Sequence, residues 1–143
     1  MRSARPGECC RLLRACHGAD VPVAVNAAIG AGLIHQQPTA NGAHRGETSH
    51  RDFRRLAGSI PDLDAGGAVL NLGSAVVMPE VFLKALTIAR NLGGGKPTDF
   101  LAADFDMQRP YRPRVNVVER PTRGRGTGIQ STGQHENPRP RHV

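Results

Sequence analysis

AVLNLGSAVVMPEVFLKALTIARNLGGG, residues Ala68 to Gly95, reads as a short buried strand, a Gly73-Ser74 turn and an amphipathic helix. Ala68 to Leu72 is a brief apolar run of strand length. Pro79 suits the first helical turn, where its missing N–H has no intrahelical partner, and Glu80 lies against the positive end of the helix dipole. Phe82, Ala85, Leu86 and Ala89 recur on one helical face, with Lys84 and Arg90 off it. Gly93 to Gly95 stop the helix and Pro97 prevents its restart. The stretch is half of a β-α-β unit and predicts an α/β domain.

Before it, Val21 to Ala28 (VPVAVNAA) predicts a buried strand, with Pro22 near its start where a missing ladder donor does least harm. Gly30 and Gly32 follow, at the place where a glycine lets backbone approach a ligand closely. His35 is a candidate for substrate binding or proton transfer, or a turn histidine that is simply hydrogen-bonded. After a polar loop, Thr48 or Ser49 is expected to cap a helix through about Ala57, burying Phe53 and Leu56. Beyond the central helix, Asp99 to Ala103 predicts a strand ending in Asp104-Phe105-Asp106. Two carboxylates past a strand end can hold a hydroxyl or cationic group, or divide acid and base work; they can also be a solvated loop with Phe105 tucked inward. Val115 to Val118 (VNVV) is read as a last strand.

The totals agree with one domain flanked by irregular ends. Of 143 residues, 17 are Gly and 11 are Pro, and there is no Trp, which places the chain between an ordinary globular domain and a partly disordered one. The net charge of +7 is uneven: residues 1–18 hold four Arg and one Glu, residues 19–106 seven basic and nine acidic groups, and residues 107–143 eight Arg and two Glu. Such basic ends raise nucleic-acid binding, but they lack stacking aromatics and any recognition motif, so a solvated Arg-rich tail is the reading preferred. Cys9, Cys10 and Cys16 with His17 have the wrong spacing for zinc, and His135 and His142 are isolated; no metal is expected. No apolar run approaches a membrane span, and the first residues carry no signal segment, so no membrane partner and a cytoplasmic location are expected. The sequence allows a short helix over about residues 8–15. From Arg120 onward almost nothing is apolar, and the segment is expected to be disordered. The division is thus an irregular segment over 1–18, an α/β core over 19–118 and a disordered basic tail over 119–143.

Three motifs in order, VPVAVNAAIGAGLIH, VLNLGSAVVMPE and FLAADFDM, resemble the carboxyl-terminal part of the deoxyhypusine synthase family and its bacterial relatives. The likeness covers roughly residues 19–118. It implies a Rossmann-like, partial three-layer fold with a parallel sheet that binds NAD. In true synthases that domain moves an aminobutyl group from spermidine to a protein lysine. By the same resemblance, Gly30, Gly73, Ser74, Leu101 and Ala102 would lie along the cofactor, and His35, Asp104 and Asp106 by the substrate. The chain departs from the family where its covalent lysine belongs: Arg120 and Pro121 stand there, and no lysine follows Lys96. Arginine stays protonated and forms no imine. The amino-terminal half of the family's domain is absent, and a truncated or frame-shifted gene product would join unrelated sequence to both ends of the core. The expectation is an NAD-binding domain fragment, inactive alone, that self-associates or joins a homologous chain. The alternatives are a non-catalytic association module or a sugar-phosphate-binding domain.

Overall fold

Three parallel strands and the helices that connect them make up the computed structural model, which describes residues 12–133. Helix α1 (Leu12–Gly18) leads into an extended segment and a 3-10 turn (Leu33–Gln36). Helix α2 (Gly42–Ser59) follows, then a second 3-10 turn (Ile60–Leu63) and strand β1 (Gly67–Leu72). Helix α3 (Val77–Leu92) returns the chain to strand β2 (Phe100–Asp106). Helix α4 (Tyr111–Pro113) runs on as a π-helical stretch (Arg114–Glu119), and strand β3 (Thr127–Thr132) closes the sheet. The order is β1-β2-β3, so each connection steps in the same direction across the sheet. Both connecting helical segments lie on one face, as right-handed crossovers require.

The central strand, helix and following strand stand where the sequence places them. The buried face of α3 is Phe82, Ala85, Leu86 and Ala89, packed on Phe100, Ala102, Val117 and Val118. Arg90, off that face, donates to the carbonyls of Pro97 (3.0 Å) and Pro121 (2.6 Å), fastening the end of α3 to two loops.

Four expectations are corrected. Val21 to Ala28 forms no regular secondary structure and joins no sheet. Side chains of α2 take two of its N–H groups, Val25 donating to Asp52 Oδ2 (2.9 Å) and Ala27 to Ser49 Oγ (2.9 Å), so Ser49 is a brace and not the cap. The cap of α2 is Asn41, whose Oδ1 accepts from His44 N–H at 3.0 Å, and the helix starts about two turns earlier than expected. Val115 to Val118 is helical, with Arg120 N–H reaching the carbonyl of Val115 at 2.9 Å. All four residues are buried beneath α3 and the sheet, and that packing outweighs the strand preference of valine. The expected disordered tail in fact begins with more structure: Thr127–Thr132 pairs with β2 over its whole length. Cys9, Cys10, His135 and His142 lie outside the described residues.

The sheet and its neighbours leave little room at some glycines. A Cβ on Gly67 would stand 2.6 Å from Leu63 Cα and 2.7 Å from its carbonyl oxygen, both backbone atoms that cannot step aside. Gly67→Ala is expected to lower stability by about 2 kcal/mol, read from the urea midpoint at constant m-value.

Asp64 ties the entry of β1 to the entry of β2. Its Oδ1 accepts N–H groups of Thr98 (2.9 Å) and Asp99 (3.3 Å), and Oδ2 meets Lys96 Nζ at 3.3 Å. The Thr98 bond first, then those of Asp99 and Lys96, hold its carboxyl below the usual carboxylate range. A folded-state pKa below the unfolded value of about 3.9 means the contribution is present above that pH and is lost as pH falls through the folded value. Asp64→Asn should therefore flatten the acid limb of a stability-against-pH curve below about pH 4 and leave its alkaline side unchanged.

Candidate functional site

The carboxyl ends of parallel strands are where open α/β sheets place ligands, and here they carry a line of polar groups. Register sets Asn71, Asp104 and Gln130 side by side on the helix-covered face of β1, β2 and β3. Asp104 and Asn71 have no exposed surface. Asn71 Nδ2 donates to Asp104 Oδ1 at 2.8 Å and to the Ser74 carbonyl at 3.0 Å, while Gln130 Nε2 donates to Asp104 Oδ2 at 2.9 Å. Both carboxylate oxygens thus have amide donors, and the ladder locks three strands in register. Asn71 Oδ1 is buried with no partner among the described residues.

Gly73 follows with φ +69°, a left-handed turn that glycine makes at no steric cost, and its N–H donates to Phe105 O at 2.9 Å. Ser74 Oγ accepts Met78 N–H at 3.1 Å. Since Pro79 has no N–H and Glu80 puts a carboxylate in the first turn, α3 offers an anion few donors. The Glu80 carboxyl lies below its ordinary range, chiefly through its hydrogen bond from Lys84, with Arg112 and Asn116 adding to it.

The other residues expected at a site separate. Ala102 is fully buried in the core, while its neighbour Leu101, one position along the strand, faces the opposite side of the sheet. Asp106 closes a local turn, its Oδ1 accepting Gln108 N–H at 3.2 Å. Gly30 (φ +90°) and Gly32 both donate N–H to His35 Nδ1, at 3.3 and 3.2 Å, so this histidine closes its own turn. Its Nε2 is buried with no partner among the described residues. Lys84 and Lys96, the two lysines of the chain, are exposed and paired with Glu80 and Asp64.

Hollows on the helical side are formed among the described residues, two of them well defined. The larger, about 710 Å³, opens between residues 22–26, α2 and the first turns of α3, with Val69 of β1 on its wall. Ser74 lines it; Gly30, Gly73, His35, Leu101, Ala102, Asp104 and Asp106 line neither hollow. Sequence reasoning found Asp104 but missed its partners Asn71 and Gln130, and no signal in the chain pairs them without the register. The braces Ser49 and Asp52, which hold the groove's outer wall, were equally hidden, each looking like an ordinary helix residue.

Among the described residues, no group of three or more His, Cys, Asp or Glu side chains could hold a metal ion. Nor is any helix there long and apolar enough to cross a membrane. No protein-family model matches the chain, and neither a curated protein nor a solved structure does.

Proposed function

We propose that this chain is a non-catalytic α/β module that works joined to a homologous chain, which covers the sheet face its own helices leave bare. One observation carries the reading. Among the described residues the connecting helices lie on one side, and on the other Leu70 and Leu72 of β1 and Ile129 of β3 are 53%, 66% and 45% exposed, flanking half-buried Leu101 and Phe105 and buried Ala103 of β2. Parallel sheets are stable when both faces are covered, and a bare one is an interaction surface. A second chain of the same one-sided build presents the matching apolar surface.

Aminobutyl transfer from spermidine, which the resemblance to deoxyhypusine synthases implies for full-length relatives, has no lysine after Lys96 to carry the imine. Sedimentation velocity tests the association. The wild-type chain is expected to sediment as a dimer, and Leu70→Glu with Leu72→Glu to sediment as a monomer that still unfolds cooperatively, at a midpoint lowered by the lost association. A wild-type chain that unfolds cooperatively yet stays monomeric at the highest attainable concentration overturns the proposal.

A second reading, NAD binding, is favoured by the left-handed Gly73 at the end of β1, where backbone can approach a nucleotide. The backbone of this turn, and not the N-terminus of α3, would then meet the cofactor. Saturating NAD should raise the melting temperature if it binds the folded state, and an unmoved transition removes the cofactor.

A further inference from the structure

The larger groove is an apolar channel with one charge on it. Its wall is mostly apolar, Val23, Leu56, Val69, Val77 and Phe82 among its lining, and Arg55 is the single ionisable side chain lining it among the described residues. Its outer wall is held in place by the bonds of Val25 and Ala27 to Asp52 and Ser49. The volume, about 710 Å³, falls within the roughly 300–1,000 Å³ typical of small-molecule sites, which are likewise apolar with a few polar groups to orient the ligand.

We propose that this groove binds a small amphiphile with an apolar tail and a single anionic head, the tail against Val69 and Phe82 and the head on Arg55. The charge pattern selects the class. Among the described residues no carboxylate lines the groove, the nearest being Asp52 behind Arg55 with one oxygen held by Val25 N–H, whereas the Arg55 guanidinium offers a fork of donors to a carboxylate. Arg55 is 69% exposed, and its contact with Asp52 is long, 3.4 Å, to the oxygen that does not hold Val25. Such an exposed ion pair is worth little and yields readily to a ligand. Val69 points to the helical side of β1 and Leu70 to the bare side, so this site is independent of the association surface.

Sodium decanoate is the probe, titrated into the full ¹⁵N-labelled chain and followed by amide shifts, with decylammonium as the comparison. Saturable shifts are expected at Val23, Val69 and Val77 with decanoate and not with decylammonium. Arg55→Gln should weaken decanoate binding about tenfold, the loss of one charge-assisted contact. Ser59→Phe, which fills the groove from its rim without changing charge, should abolish binding. The proposal is overturned if decanoate does not bind, if the two heads bind alike, if Arg55→Gln leaves the affinity unchanged, or if the shifts fall on Leu70, Leu72 and Ile129 instead. The last outcome would point to the bare sheet face, and sedimentation of the same samples keeps the two surfaces apart.

Discussion

Asp104→Ala is expected to lower the unfolding free energy by about 4 kcal/mol, from the loss of two buried hydrogen bonds whose amide donors are left unanswered, at about 1–3 kcal/mol each. Asp104 accepts from Asn71 on one side and Gln130 on the other, so its removal leaves amide donors on both flanking strands unanswered. Asp104→Asn should cost less, about 2 kcal/mol, because one oxygen survives while the new amide faces a donor. Urea unfolding followed by circular dichroism reads both, provided the m-value is unchanged. An Asp104→Ala shift below about 1 kcal/mol would mean that water replaces the lost acceptor and that the ladder does not hold the strands.

Phe100→Ala is expected to cost a similar amount, about 4 kcal/mol, as a buried ring is lost and a cavity left. Phe100 opens β2 at 2% exposure and meets Phe82 of α3 edge to face, with ring centroids 6.3 Å apart and planes at 84°. It is one of four phenylalanines in a chain without tryptophan, so few other large side chains can fill the space. Phe82→Ala should fall in the same range, and the double variant should cost about 1 kcal/mol less than the sum, because the ring pair is lost once. Since small domains are stable by only about 5–15 kcal/mol, either single variant should leave a chain with a much lower urea midpoint. Strict additivity of the two would show that the rings do not sense each other.

The elements legible in the sequence are those whose stabilisation is local. Pro79, Glu80, the apolar face of α3 and the glycines after it mark a helix whatever surrounds them, and the run before Gly73 marks β1. The elements that were misread are those whose conformation is settled by neighbours. VNVV has strand-forming side chains, but it lies between α3 and β3, where a π-helical turn buries all four residues. TGIQST has one large apolar residue, Ile129, and it becomes β3 through backbone pairing with β2 and the close approach of Gly128 to Val118. Val21 to Ala28 has the composition of a buried strand, yet Asp52 and Ser49 take its N–H groups before a sheet can.

The candidate site divides in the same way. Asp104 stood out because a carboxylate at a strand end is visible in one dimension, whereas Asn71 and Gln130 are 33 and 26 residues from it and meet it only through register. By itself the sequence determined a strand-turn-helix-strand unit at residues 67–106 and a chain without a lysine after Lys96, since helix periodicity, chain-stopping residues and side-chain chemistry are properties of nearest neighbours. Tertiary structure alone decided that every crossover falls on one face, that the other face is bare, and that Arg55 overlooks an apolar groove. Those outcomes depend on which distant segments share a surface, and the hydrophobic effect that drives them is blind to sequence order.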